Sequence, residues 1–286
     1  MNGIIVINKE KGVTSRKVVN EISQHLGIKK VGHTGTLDPL ATGVLVICVG
    51  KATKIVELLT NNDKEYIATV VLGLHSDTLD ITGEILNQEK CFKTKEEIEE
   101  ILTTMIGTYD QEVPIYSAVK IKGKKLYQYA RNNEQISLPK RKVTIKELSL
   151  IGDVNYINET VTFKIKCLVS KGTYIRSLIR DIANKLNTIG LMSELIRTKH
   201  GHFSIEDSLL VSEFKKDFKI KTILEVLSKY HQVIVSEELD KRIQTGQKLV
   251  NTYQKDEILF VNKKGDALAL YRKDNDNKLR PWKMFI

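Results

Sequence analysis

GHTGTLDPLATGVL, residues 32–45, holds three glycines, one proline, one acid (Asp38) and one histidine (His33) in fourteen positions. The residues that follow, 44–49, are apolar and β-branched enough to read as a buried strand. A polar, turn-rich loop therefore feeds straight into a core strand and holds one carboxylate at the mouth of a sheet. Loops on rigid scaffolds are where chemistry tends to sit. Asp-Pro is also a common turn opener, so Asp38 reads equally as a turn cap or as a reactive group.

Working outward, residues 4–7 read as a short buried strand, and Lys9 and Lys11 lead into a turn at Gly12. Thr14 or Ser15 caps a helix with Val18, Val19, Ile22 and Leu26 on one face, and Gly27 is placed to end it. After the central loop and its strand, residues 50–53 begin a short helix through Leu58 and Leu59. Residues 66–72 form a strand, and Thr94 with Glu97 makes a capping box for a helix bearing Ile98, Ile101, Leu102 and Met105. Residues 161–169 alternate as an amphipathic strand. SKGTYIRS then turns at Gly172 into a helix carrying Ile175, Leu178, Ile179, Ile182 and Leu186. Tyr174 and Arg176 thus sit at a strand-to-helix junction, the same kind of place as Asp38. Residues 191–197 suit a strand or a helix edge. Past Tyr230 comes a β-rich unit of about fifty residues, small for an independent core. In it a helix over 236–244 closes at Gly246, and strands 257–262 and 267–272 are joined by a turn.

The chain has 286 residues, enough for one large domain and a small one. Its formal charge of +10 points to a polyanionic partner. Residues 120–147 hold nine Lys or Arg against two Glu, a balance of +7, so most of that charge lies in one segment. Tyr116, Tyr127 and Tyr129 lie in or beside it. Charge runs usually line a solvated face; interleaved with aromatics they suit phosphate contact with base stacking. Cys48, Cys91 and Cys167 are odd in number, widely spaced and form no C-x-x-C pair, which fits a reducing cytosol. Residues 1–12 lack the basic start and long apolar run of a signal peptide, and no apolar run approaches the ~20 residues of a membrane span. The sequence reads as that of a soluble intracellular protein.

Several chemistries fail on spacing. Gly50-Lys51 is followed by Ala52 and lacks the upstream glycine of a phosphate loop, and Gly32 with Gly35 does not make a dinucleotide fingerprint. No G-x-S-x-G elbow occurs. His25 reads as a helix-surface residue, and His200 and His202 as packing or RNA contacts. His75, Asp77 and Asp80 have ligand-like spacing, but Thr78, Thr82 and Gly83 explain them as a turn. Asp38 is left without a catalytic histidine. A carboxylate can itself be the nucleophile toward a sugar or an activated ring. It must then be ionised, and Arg176 is the natural compensating cation.

These residues resemble the bacterial tRNA pseudouridine-55 synthases, the TruB-type pseudouridine synthases. GHTGTLDPLATGVL is similar to that family's catalytic motif nearly residue for residue. KEYIATVVLG with HSDTLDITGE, YSAVKIKGKKLYQYAR and SKGTYIRSLIRDI resemble its other landmarks, in the expected order and as far as about Phe203. The last fifty residues resemble a PUA-like module. Glu10 stands where the family usually has proline, and Pro114 is the one proline where it has a pair.

The resemblance implies an isomerase that turns one uridine of the tRNA T loop (position 55) into pseudouridine, with no cofactor and no metal. Asp38 matches the nucleophile, Tyr66 the tyrosine that stacks on the target base and assists proton removal, and Arg176 the arginine that pairs with the aspartate. Tyr174 and Leu195 match pocket-lining positions, and His33 a histidine near displaced RNA bases. The target base must be flipped out of its stack. Asp38 then acts by attack on the sugar, by attack on the ring, or by triggering elimination. Lys9, Lys120, Lys124 and Arg141 are expected substrate contacts, the basic segment clamping T-arm phosphates. The expected architecture is α+β: a mixed, mainly antiparallel sheet with flanking helices (the pseudouridine synthase fold) over 1–232, with an RNA-clamping insertion at about 116–147. A small β-rich, PUA-like domain follows over 233–286. The expected state is a cytoplasmic monomer needing no protein partner. A rival from another class is an RNA-binding or tRNA-folding module with incidental catalysis. A third is a metal-dependent phosphodiesterase using His75, Asp77 and Asp80.

Overall fold

The structure, a computed structural model, describes residues 1–215 and 218–286. From β1 (Gly3–Lys9) the chain turns into α1 (Ser15–Leu26), then β2 (Val31–His33) and β3 (Thr42–Val49). Thr14 caps α1 by accepting the Lys17 N–H, and Gly27, at φ 66°, ends it, as expected. β2 is a short strand inside the expected loop, with His33 opposite Ile47 of β3. A helical turn (Gly50–Ile55) and α2 (Val56–Thr60) lead to β4 (Lys64–Leu72) and to the hairpin β5 (Leu74–Ser76)–β6 (Ile85–Gln88). α3 (Lys95–Thr104) opens on the Thr94–Glu97 capping box.

β7 (Gly107–Glu112) precedes an insertion made of β8 (Lys120–Ile121), β9 (Lys124–Lys125) and α4 (Leu126–Arg131). The long hairpin β10 (Lys140–Ile157)–β11 (Thr160–Val169), α5 (Ile175–Lys185), β12 (Gly190–His200) and β13 (Phe203–Ser204) complete the first unit. After α6 (Val211–Phe214) and α7 (Ile223–Val226) come β14 (His231–Ile234), α8 (Glu237–Gln244), β15 (Leu249–Val250), β16 (Glu257–Val261), β17 (Ala267–Lys273) and β18 (Lys278–Met284).

Nine strands form the main sheet, ordered β1-β3-β12-β4-β11-β10-β7 with β2 and β13 at its margins. Among the described residues of this sheet only β12 and β3 pair in parallel, so it is mixed and mainly antiparallel. Side chains alternate across a strand, and the burial pattern follows. Ile5, Ile7, Leu45 and Ile47 enter the core under α1, α3 and α5. Ile4, Val6, Val44 and Val46 enter a second core behind the sheet, with Ala52, Ile55, Leu259, Val261, Leu270 and Phe285. Burial on both faces is why the runs in β1 and β3 are continuously apolar. On β11 only Val161, Phe163, Ile165, Cys167 and Val169 face a core, so that strand alternates instead.

β14-β16-β17-β18-β15 form a second, five-stranded sheet. It packs on the back of β1 and β3 through the second core. The PWKM segment lies in its strand β18. Register places Tyr66 of β4, Arg197 of β12 and Gly43 of β3 in one row across three adjacent strands. Gly43 has φ +96°, and a Cβ there would lie 2.3 Å from the Arg197 carbonyl oxygen, so this row closes only on glycine. The loop that precedes Gly43 carries Asp38. Among the described residues, no helix is long and apolar enough to cross a membrane.

Candidate active site

Three buried side chains hold the Asp38 loop. Ser15, the first residue of α1, donates its hydroxyl to the Leu37 carbonyl at 3.1 Å and accepts the Leu37 N–H at 2.9 Å. Lys9, at the end of β1, is 0% exposed. Its ammonium donates to the carbonyls of Glu10 (2.9 Å), Val13 (2.7 Å) and Pro39 (3.4 Å). The expectation that Lys9 contacts substrate is corrected here: its three donors face loop carbonyls and none of its surface faces solvent. Burial pushes its pKa down to about 8, Asp38 opposing that shift and Arg197 adding to it.

Arg197, 1% exposed, donates from Nε to the Val44 carbonyl at 2.6 Å and from Nη2 to the Gly35 carbonyl at 3.1 Å. Among the described residues no carboxylate lies within salt-bridge distance of it. Each buried carbonyl left without such a donor costs about 1–3 kcal/mol, so these contacts fix the loop firmly.

Arg176, in the first turn of α5, reaches Asp38 from the other side. Its Nε lies 3.0 Å from Asp38 Oδ2, with the Arg176 side chain 6% exposed and that of Asp38 39% exposed. Asp80 Oδ2 lies 3.8 Å from the same Nε. Nη1 donates to the Thr78 carbonyl at 2.8 Å and Nη2 to the Tyr116 carbonyl at 3.0 Å. One planar fork therefore joins the Asp38 loop, the turn after β5 and the start of the insertion, which a point-charge ammonium would not do.

Tyr66 is buried on β4, near enough to Asp38 for that charge to act on its phenol. Burial raises its phenol above the ordinary value, while the neighbouring Arg197 pulls it down. Leu195, buried on β12, faces the same core. Tyr174 caps α5 from the outside and packs on Val113, Leu126 and Tyr129. His33 is half-buried. Its pKa is lowered, first by burial and then by Arg16 and Arg197, and its Nδ1 has no partner among the described residues.

The insertion is basic but not uniformly free. Lys120 and Arg141 are exposed. Lys124 is paired with Glu134 and lies 4.6 Å over the Tyr129 ring. Tyr129 is buried, its hydroxyl on the Ile121 carbonyl, so it forms the insertion's own small core. Tyr127 is flanked by Lys125 and Arg131 at 5.5 and 5.3 Å. A groove of ≈ 800 Å³ runs between this insertion and the β5–β6 hairpin, past Tyr116, Leu86 and Ile136.

The His75, Asp77 and Asp80 set resolves as a turn. Asp77 accepts the Glu84 N–H at 2.9 Å, and Asp80 accepts the Thr82 N–H at 3.0 Å and both neighbouring threonine hydroxyls. His200, fully buried, pairs with Thr34 and the Leu59 carbonyl. A carbonyl only accepts, so His200 Nε2 carries the proton; burial takes its pKa down to about 3, and the ring is neutral packing. Sequence reading missed Arg197, Asp80 as a neighbour of Arg176, and Ser15 as an anchor of Leu37. The sequence around the first, with Ser193, Glu194 and Thr198, offered no signal that set it apart.

The main sheet, with an aspartate loop and an α5 arginine meeting at one end, is a fold shared with solved structures. It matches a chain of a Cbf5-Nop10-Gar1 complex (TM-score 0.71, 23% identity, 99% of this chain and 85% of that one). It also matches a chain from an H/ACA RNP bound to a substrate RNA containing 2'-deoxyuridine (TM-score 0.69, 22% identity, 99% and 85%). The sequence model for the N-terminal domain of the TruB family pseudouridylate synthases matches residues 23–175. The tRNA pseudouridine synthase B of Oceanobacillus iheyensis is 42% identical, covering 100% of this chain and 98% of its own. That of Geobacillus thermodenitrificans is 38% identical over the full length of both. The chain belongs to the TruB family of pseudouridylate synthases.

Proposed function

We propose that this chain converts the uridine at position 55, in the T loop of tRNA, into pseudouridine, with Asp38 as nucleophile, Arg176 as its partner and Tyr66 over the base. Isomerisation of uridine in tRNA follows from the family, whose relatives named tRNA pseudouridine synthase B span the whole chain. The observation that carries the finer reading is the 3.0 Å contact between Arg176 Nε and Asp38 Oδ2 on an otherwise anchored loop.

In the reaction the N1–C1′ bond breaks, the base turns, and a C5–C1′ bond forms. C5 loses its proton and N1 gains one, so no redox partner is required. The uridine must leave its stack to reach Asp38. Tyr66 and Leu195 supply the apolar walls for a detached uracil, and His33 and Tyr174 sit beside the displaced strand. The raised pKa keeps the Tyr66 phenol protonated at neutral pH, so in the free protein it offers a ring face and an O–H rather than a phenolate. Lys120 and Arg141, both exposed, contact T-arm phosphates, with Lys124 joining if it leaves Glu134.

Residues 1–232 act as the catalytic unit, the insertion at about 116–147 as the clamp, and 233–286 as a PUA-like module. The separate five-stranded sheet supports that division. The acting unit in this reading is a monomer. Three buried, unpaired cysteines suit the reducing cytoplasm.

The test is to incubate the protein with unmodified tRNA transcript in chelator and map pseudouridine by site. Product confined to position 55 is expected; product elsewhere, or none, overturns the reading.

A further inference from the structure

Gln111, next to the last residue of β7, is 1% exposed and has no part in the chemistry above. Its amide closes on the backbone of Tyr174. Oε1 accepts the Tyr174 N–H at 2.8 Å, and Nε2 donates to the Tyr174 carbonyl at 3.2 Å. A side chain thereby makes the two-bond pattern by which one strand grips a residue of its neighbour. Nε2 also donates to the Tyr109 hydroxyl at 2.9 Å, whose own hydrogen goes to Asp181 Oδ2 at 3.1 Å. With that hydrogen committed, only the NH₂ end of Gln111 fits against Tyr109, which fixes the orientation of the amide.

Tyr174 is the N-cap of α5 and contributes no side-chain cap bond. Its carbonyl accepts the first helical bond, from Leu178 N–H at 2.9 Å. Arg176 lies two residues further on. Ser177 adds a second tie between the same segments, its hydroxyl donating to the Glu112 carbonyl at 2.9 Å. Helical geometry couples rotation to rise along the axis, so any slip at the cap swings the Arg176 guanidinium away from Asp38.

We propose that Gln111 is a positioning residue that fixes the first turn of α5 through the Tyr174 backbone, so that Arg176 meets Asp38. The inference rests on the reading of Asp38 and Arg176 given above. Gln111 belongs to the edge strand that leads into the insertion, so the same amide also ties the RNA clamp to the helix bearing Arg176.

The experiment compares Gln111→Leu, Gln111→Glu and Arg176→Ala with the wild type in single-turnover conversion of unmodified tRNA transcript, alongside tRNA affinity and melting temperature. Gln111→Leu is expected to slow conversion about 10- to 100-fold, the cost of a displacement near 1 Å, with tRNA affinity unchanged. Gln111→Glu supplies a signature that general weakening of the fold does not. As a neutral acid it keeps the Tyr174 pair, accepting the N–H and donating its one hydrogen to the carbonyl, and gives up only the bond to Tyr109. As a carboxylate it sets an oxygen against that carbonyl. Its rate relative to wild type is therefore expected to rise as pH falls.

A folded Gln111→Leu protein with the wild-type rate, while Arg176→Ala is inactive, overturns this inference alone. So does a slowed Gln111→Glu protein whose ratio to wild type is flat with pH, and that ratio decides the matter if Gln111→Leu does not fold. A wild-type rate for Arg176→Ala overturns the reading of the site and this inference with it.

Discussion

Arg176 Nε lies 3.0 Å from Asp38 Oδ2, and the two terminal nitrogens of the same guanidinium hold the carbonyls of Thr78 and Tyr116. The arginine is therefore both the partner of the proposed nucleophile and the joint between two flanking loops. Lysine would keep the charge and lose the fork. Arg176→Lys is expected to lower kcat about 10²- to 10³-fold, the scale for losing one aimed donor in an active site. Affinity for tRNA should change little. Single-turnover rates and filter binding check both, and a near wild-type rate would remove the fork from the account.

Lys9 is expected to act on stability and not on RNA affinity. Lys9→Met leaves three loop carbonyls without their donor and should cost about 1–3 kcal/mol, while the salt dependence of tRNA binding stays as in wild type. The pH dependence has a definite sign. The folded-state pKa is lowered to about 8 from 10.5. Below pH 8 both states hold the proton and the burial penalty is complete. Between 8 and 10.5 the unfolded chain binds more protons, so wild-type stability rises with pH relative to Lys9→Met. Urea unfolding of both proteins across this range measures it; a constant difference would contradict the buried assignment.

Arg197→Lys should destabilise the protein by about 1–3 kcal/mol, because one ammonium does not reach the Val44, Gly35 and Thr36 carbonyls together. The Asp38 loop should loosen with it. Amide exchange at residues 34–41 is the direct readout, and unchanged protection there would show that Ser15 and Lys9 suffice to hold the loop.

Much of the fold was legible because its signals are local. Thr14 and Gly27 bracket α1, Thr94 with Glu97 opens α3, and two-sided burial leaves its mark as unbroken apolar runs in β1 and β3. β12 was ambiguous because Leu191, Met192, Leu195 and Ile196 fit helical spacing, and only pairing with β4, bulged between Met192 and Glu194, and with β3 makes the segment a strand. At the site, the motif resemblance pointed to Asp38 and Arg176, which the structure brings together. Lys9 misled because a lysine after a strand ordinarily reads as solvent-facing, and nothing local shows that the Val13 and Pro39 carbonyls converge on it. Arg197 and Gln111 act through space on Val44 and Tyr174, 153 and 63 positions away, and Asp80 lies beside Arg176 from far along the chain, which spacing does not encode.

Charge reversal in the insertion separates free cations from engaged ones. Lys120→Glu and Arg141→Glu should weaken tRNA binding and each reduce the salt slope by about one. Lys124→Glu should additionally disturb the insertion itself, since it removes the pair with Glu134 and the contact on Tyr129. Binding titrations over a range of salt distinguish these, and equal effects from all three would contradict the assignment of Lys124.

The most direct test of the central claim is single-turnover pseudouridine formation by Asp38→Asn on unmodified tRNA transcript, with binding and folding measured on the same sample. The variant keeps the shape of the loop turn and removes the nucleophile. The account expects a folded protein that binds tRNA like the wild type and forms product at least about 10⁴-fold more slowly, the scale for loss of a nucleophile. Turnover near the wild-type rate would contradict it.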